Sequence, residues 1–164
     1  MIRPMSHFDL EMVLAWRNNI NVRRYMNTQH EITLDEHKSW FKRTLQDSKN
    51  HLLIFEVNQK ALGFISIIEA KSEKIARWGF YAAPEAPKGC GRLLGTAALS
   101  YAFADLKLNK IYGTVLANNQ RSINLHLALG FKKENLIRDQ YLDGIVCQSI
   151  LSFVLLSSDW QISN

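Results

Sequence analysis

Pro87-Lys88-Gly89-Cys90-Gly91-Arg92-Leu93-Leu94-Gly95 carries the residue types in this chain best suited to holding an anion. Two glycines one residue apart let successive backbone N–H groups converge on a phosphate, and the positive end of a following helix adds to the attraction. Lys88 and Arg92 set side-chain charge beside them, and the pattern predicts a pyrophosphate cradle opening a helix. Glycine-rich turns also occur where nothing binds, so the reading depends on the second half of the chain. There, Asn119-Gln120-Arg121-Ser122-Ile123-Asn124-Leu125-His126-Leu127-Ala128-Leu129-Gly130-Phe131 places Ser122 and His126 four residues apart on one helix face. Ile123 and Leu127 form a neighbouring apolar face, which lets His126 face a cleft while the helix packs. A histidine among leucines is equally an ordinary half-buried structural residue.

The elements that must position these residues follow from periodicity. Asp9 to Arg17 predicts a helix with Leu10, Val13, Leu14 and Trp16 inward, ended by Asn18-Asn19. Thr33-Leu34-Asp35-Glu36 is a capping-box pattern and predicts a second helix to about Gln46. His51 to Val57 and Leu62 to Glu69 predict a hairpin about Asn58-Gln59-Lys60, and Ile75 to Ala82 a third strand. A helix from Gly91 to Phe103, a strand from Lys110 to Leu116 and a helix from Arg121 to Leu129, stopped by Gly130, come next. Phe131 restarts the chain as strand, and Gly144 to Leu156 predicts a closing strand. The fold class expected is α/β, a mixed sheet covered by helices, in one domain spanning residues 1–164.

Composition bounds the partners. The chain has 164 residues, 47% of them apolar, and a formal charge of +5 that comes from scattered Lys and Arg. No dense basic run or basic–aromatic interleaving suggests nucleic acid, and a small anionic ligand suits the charge better. Cys90 and Cys147 have no metal-ligand spacing and form no disulfide framework, and the five histidines are scattered, so no metal is expected and a reducing, cytoplasmic setting is. No stretch reads as a membrane span or signal core. The apolar closing strand could pair with a symmetry mate through an exposed sheet edge, which leaves a homodimer open.

The element order, Gly89-Cys90-Gly91 before one helix and the Asn119-to-Phe131 segment at the next resemble the GNAT superfamily of N-acetyltransferases over almost the whole chain. The resemblance implies acetyl-CoA as cosubstrate, with direct acyl transfer to an amine. The superfamily's loop reads Gln/Arg-x-x-Gly-x-Gly/Ala, and here Ala86 takes the leading position, so Lys88 or Arg92 would supply the charge. It implies cofactor contacts at Phe80, Tyr81, Ala82, Lys88, Gly89, Cys90, Gly91, Arg92, Leu93, Asn119 and Ser122. His126 stands where a Tyr often protonates the departing thiolate. An imidazole near its reference pKa of ~6.5 would be partly protonated at neutral pH and able to reprotonate a thiolate whose parent thiol titrates near ~8.5. No carboxylate base occupies the strand before the cradle, where Arg77 and Trp78 stand. Glu69 is the nearest candidate by order, although an exposed strand-end residue is an equally plain reading.

Trp16-Arg17-Asn18, Val22-Arg23-Arg24-Tyr25-Met26, Glu36-His37, Trp40-Phe41, Trp78-Gly79-Phe80-Tyr81 and Leu125-His126 narrow the resemblance further. They look like the branch that acetylates the 4-amino group of a UDP-linked 4-amino-4,6-dideoxy sugar in pseudaminic acid biosynthesis. On that reading Arg17 offers a fork to phosphate oxygens and His37 a donor, while Tyr25, Met26 and Trp40 present flat or soft surfaces to uracil and the sugar's methyl group. Trp16, Met26, Trp40 and Phe41 would serve equally as helix-packing residues. A ribosomal-protein-type Nα-acetyltransferase is the alternative enzyme, and a non-catalytic acyl-CoA-binding module the alternative of another class.

Overall fold

The structure, a computed structural model, describes residues 1–71, 74–142 and 146–162. Its centre is a seven-stranded sheet in the order β1-β2-β3-β4-β5-β7-β6. The strands are β1 (Ile2–Pro4), β2 (Asn50–Val57), β3 (Lys60–Glu69), β4 (Ile75–Ala82), β5 (Lys110–Leu116), β6 (Lys132–Leu142) and β7 (Val146–Leu156). All neighbours are antiparallel except β4 and β5, which run parallel. The helices are α1 (Leu10–Asn18), α2 (Ile20–Arg23), α3 (Leu34–Thr44), α4 (Cys90–Ser100), α5 (Gln120–Ala128) and α6 (Ser157–Ile162).

Local chemistry accounts for the borders. At the start of α3 the Thr33 N–H donates to Glu36 Oε2 at 2.7 Å and the Glu36 N–H donates to Thr33 Oγ1 at 3.3 Å, so the capping box forms as read. The β2–β3 hairpin closes at Val57 opposite Lys60, with Asn58 and Gln59 at φ of 50° and 65°. Positive φ at both turn residues matches the right-handed twist of the flanking strands. The closing strand is found at Val146–Leu156, and residues 143–145 lie outside the described residues.

Alternation along the strands builds a core on each face. Leu53, Phe55, Ile65, Ile67 and Trp78 point to one side, where Leu94, Ala98 and Leu99 of α4 meet Phe153 and Leu155 of β7. Leu52, Ile54 and Phe64 point to the other, against Leu10, Val13 and Trp16 of α1 with Trp40 and Phe41 of α3 alongside. Helix α4 lies so close to β3 that Leu94 Cδ1 occupies the space a side chain on Gly63 would need. Arg3 anchors the first strand: Nε reaches Glu56 Oε1 at 2.7 Å, and Nη1 and Nη2 take the two Asp9 oxygens at 2.8 Å each. That fork, with a Ser6 N–H at 2.8 Å, holds the buried Asp9 carboxyl down to about 2.

One expectation is corrected here. β7 sits between β5 and β6 and pairs with both, so it has no free edge to offer a symmetry mate. Pairing with β5 on one side and β6 on the other over Ile150–Val154 makes its apolar run a central strand.

Candidate active site

β4 and β5 pair only from Ile75–Lys110 to Arg77–Tyr112 and then part. The opened fork is a narrow cleft of about 270 Å³, lined by Trp78, Gly79, Phe80 and Tyr81 of β4, Gly113 to Leu116 of β5, and Asn119, Ser122 and His126 beyond it. The Ala83 N–H donates to Leu62 O at 2.8 Å on the β3 side. With the regular β3–β4 register, Tyr81 also faces β3, and the amides of Phe80 and Ala82 face the opening, where no strand meets them. An unpaired strand edge of this kind can receive an extended amide-bearing ligand, and its N–H groups can face a polarised carbonyl.

The cradle stands at the start of α4. Gly89 is left-handed, at φ 87°, with nothing within 4 Å of the position a Cβ would take. The Cys90 N–H donates to Pro87 O and the Arg92 N–H to Gly89 O, at 3.1 and 3.0 Å, so those two amides are spent on the turn. The amides of Gly89 and Gly91 make no hydrogen bond among the described residues and remain open to an anion. The Cys90 side chain turns into the core, its Sγ 3.9 Å from Leu62 O, while Lys88, Arg92 and Leu93 are exposed. Asn119 caps α5, its Oδ1 accepting from the Ser122 N–H at 3.2 Å, and that leaves the amide nitrogen end for the cleft.

His126 is 3% exposed and packed among Trp78, Phe80, Phe131 and Phe153, with ring centroids 4.9–5.8 Å apart. Its Nδ1 lies 2.8 Å from the Ser122 carbonyl, which only accepts, so Nδ1 carries the hydrogen and Nε2 is bare in the neutral ring. Ser122 Oγ is 3.4 Å from Nδ1. Burial pushes the imidazole below its usual value, with the Ser122 carbonyl opposing more weakly. The expectation of a partly protonated ring at neutral pH is therefore corrected: His126 rests neutral, as an acceptor.

A larger cavity of about 750 Å³ opens between the sheet and the N-terminal helices, lined by Arg17, Thr28, His30, Asp35, Glu36, His37, Trp40, Arg43, Phe64 and Tyr81 among others. It meets the cleft at Phe64 and Tyr81, which line both, so a ligand in each would approach the other there. Phe64 and Tyr81 are register partners on neighbouring strands, with rings 5.2 Å apart. Arg17 is oriented by Nη2 donating to Thr28 O at 2.7 Å. Burial holds the Tyr81 phenol protonated well above its usual value, and the Arg17 charge opposes this. His37 is 5% exposed and stacks on Trp40 at 5.1 Å. Burial first, and then the Arg17 charge, pushes its imidazole down, so it too is neutral.

Arg17, His37 and Trp40 thus line one cavity, as the family resemblance implied. Tyr25 and Met26 line the cleft instead of the larger cavity. One expectation fails. Glu69 ends β3 opposite Ala76, on the side of the β4–β5 pairing away from the opening, and is bound to His51 Nε2 at 2.7 Å. His37 Nε2 is buried and has no hydrogen-bond partner among the described residues. Phe64, Gly113 and Arg43 escaped sequence reasoning. An isolated glycine inside β5 was the available signal for a close approach, because a Cβ there would stand 2.7 Å from Trp78 Nε1.

A parallel pair prised open beside a glycine cradle suits an extended ligand with an anionic group lying between two strands. The model of the acetyltransferase (GNAT) domain family matches residues 1–132, and the chain belongs to that family. It is similar to Acetyltransferase PseH of Campylobacter jejuni strain 81-176, at 30% identity over 72% of this chain and 73% of that one. It also resembles the spermidine N(1)-acetyltransferase of Vibrio cholerae, at 29% identity over 87% and 85% of the two chains. The solved structure of spermidine N-acetyltransferase from Vibrio cholerae in complex with CoA and spermine shares the fold, with a TM-score of 0.89 and 24% identity over 98% and 97% of the chains. The protein is an acetyl-CoA-dependent N-acetyltransferase. The open Gly89 position and the free Phe80 and Ala82 edge fit that cosubstrate. Among the described residues no His, Cys, Asp or Glu group is placed to hold a metal, and no helix is long and apolar enough to cross a membrane.

Proposed function

We propose that the acyl acceptor is the 4-amino group of a UDP-4-amino-4,6-dideoxy-N-acetylhexosamine, with the β-L-altrosamine derivative of pseudaminic acid biosynthesis as first choice. The larger cavity carries this reading. Its volume of about 750 Å³ lies within the ~300–1,000 Å³ typical of small-molecule sites, and Trp40, Phe64 and Tyr81 give it flat walls for a base and a deoxy sugar. Arg17 and Arg43 suit a diphosphate. A polyamine, by contrast, needs carboxylates. Of the two lining the cavity, Glu36 already accepts from the Thr33 N–H and hydroxyl and lies 3.5 Å from His30. Placing a polycation beside Arg17 would also cost Coulomb energy.

Bound acetyl-CoA supplies the acyl group and the thiol leaving group. The amides of Phe80 and Ala82 face the acyl oxygen. Neutral His126 takes the proton that the amine loses on acylation at Nε2, and as imidazolium donates it to the departing sulfur. One residue acting as base and then acid accounts for the lack of a carboxylate in the cleft. A 4-amino group flanked by electron-withdrawing substituents titrates below the ~10.4 of lysine, so enough of it is neutral to attack.

The test compares Michaelis constants in Arg17→Ala. A rise of about tenfold or more for the nucleotide sugar, with the acetyl-CoA constant unchanged, supports the assignment; equal changes in both, or none, remove it.

A further inference from the structure

The cleft between β4 and β5 is blind at one end. The strands pair from Ile75–Lys110 to Arg77–Tyr112, so Trp78 and Gly113 are the first residues beyond the last closed rung. From there the fork is open toward Ala82 and Leu116, and those strand ends lead on to the cradle at Gly89 and the cap at Asn119. With a pyrophosphate held at the cradle, the acyl end of the cosubstrate lies toward Trp78. The indole bars the way there. Its Nε1 and Cδ1 lie 2.7 and 2.8 Å from the position a Cβ on Gly113 would take, so the ring reaches from β4 to β5 across the blind end. His126 Nε2 is 3.5 Å from the same point, and Phe80, one step further out along β4, packs on the indole with ring centroids 4.7 Å apart. The indole has little freedom to swing away, because it is 5% exposed and Phe131 stacks on it at 4.9 Å and 18°. Nε1 makes no hydrogen bond among the described residues, so packing alone holds the ring, and replacing it leaves no partner unpaired.

We propose that Trp78 is the acyl-length stop of this enzyme: its indole, lying across Gly113, closes the donor cleft behind an acetyl group and excludes acyl-CoA donors with longer chains. The assignment holds whichever amine accepts the acyl group, so it stands apart from the nucleotide-sugar reading. The cleft volume of about 270 Å³ agrees with it, being just below the ~300–1,000 Å³ typical of small-molecule sites. A wall backed by a second stacked ring turns each added methylene into overpacking, where a flexible wall would give way. In a fitted apolar pocket one methylene is worth about tenfold or more in discrimination.

The experiment measures binding without turnover, by calorimetry in the absence of any acyl acceptor. Free CoA, acetyl-CoA, propionyl-CoA and butyryl-CoA are compared for the wild type, Trp78→Leu and Trp78→Met. Wild-type affinity should fall about tenfold or more from acetyl-CoA to butyryl-CoA. In Trp78→Leu the ratio of butyryl-CoA to acetyl-CoA affinity should rise about tenfold, while the affinity for free CoA, set at the cradle, stays within about twofold. A merely structural role for the indole would lower the affinity for every donor together and leave that ratio where it was. If Trp78→Leu fails to melt cooperatively, Trp78→Met carries the test, since its flexible side chain fills the core yet can fold aside for a longer acyl chain, and the ratio should then rise about threefold or more. A wild type that binds acetyl-CoA and butyryl-CoA within about twofold of each other, or a ratio that stays fixed in a folded variant, overturns the inference. Neither result bears on the nucleotide-sugar reading, which is tested by the acceptor alone.

Discussion

Gly113→Ala probes the fork where β4 and β5 part. A Cβ at 113 would stand 2.7 Å from Trp78 Nε1, 2.8 Å from Trp78 Cδ1 and 3.5 Å from His126 Nε2, whereas ordinary contact begins at 3.4 Å. The indole must therefore retreat by about 0.7 Å. It cannot do so freely, because it is 5% exposed and stacked on Phe131 at 4.9 Å and 18°. Overpacking of this kind costs about 1–3 kcal/mol. At this chain length each kcal/mol lowers Tm by about 2–4 °C, so the expected drop is roughly 2–12 °C. Trp78 also meets His126 edge-on at 5.4 Å, so a displaced indole moves the imidazole. A misplacement approaching 1 Å at a proton-transfer group costs up to about a hundredfold in rate, and kcat should fall about ten- to a hundredfold while CoA affinity, set at the cradle, changes little. Thermal melts, CoA calorimetry and steady-state kinetics on the same preparation decide the matter. An unchanged Tm would refute the packing argument, and a lowered Tm with unchanged kcat would refute the link between the fork and proton transfer.

Three further outcomes are expected. His126→Phe keeps the aromatic cluster but removes Nε2, so kcat should drop about a hundredfold or more with acetyl-CoA binding intact, as calorimetry beside turnover would establish. Glu69→Gln should leave kcat/KM within about twofold, because the carboxylate belongs to the His51 pair away from the cleft; a loss beyond tenfold would return it to the site. Stability should depend on pH in two windows. Below ~6.5 the unfolded chain takes up protons that buried His37 and His126 refuse, so stability falls as pH drops. Asp9 adds up to about 2 kcal/mol that is present above the unfolded carboxyl value of 3.8 and is lost as pH falls toward about 2, a loss that Asp9→Asn should show already at neutral pH in denaturant titrations.

Much of the fold was legible because its signals are local. Ile75–Ala82 and Lys110–Leu116 appear with the predicted borders, and Thr33, Asn119 and Gly130 start or stop their helices as cap chemistry requires. β1 was not legible, since three residues carry no period; it exists through pairing with β2 and the Arg3 fork to Asp9 and Glu56. The short α2 and α6 were likewise missed. At the site, residue types pointed to Gly89, Gly91 and His126 and the family resemblance to Arg17 and His37, but protonation depends on burial, which spacing does not give. The Ser122 carbonyl decides the polarity of His126, and that contact is not visible as spacing. Glu69 misled because order along the chain placed it near the cradle strand, while antiparallel register carries it to the far end.

Thiol release from acetyl-CoA, measured with the purified protein, tests the acceptor assignment most directly. UDP-4-amino-4,6-dideoxy-N-acetyl-β-L-altrosamine, spermidine and peptides with free N-termini are offered side by side. The account predicts saturable release with the nucleotide sugar and a kcat/KM at least about a hundredfold above either rival. Release led by spermidine or by a peptide would contradict it.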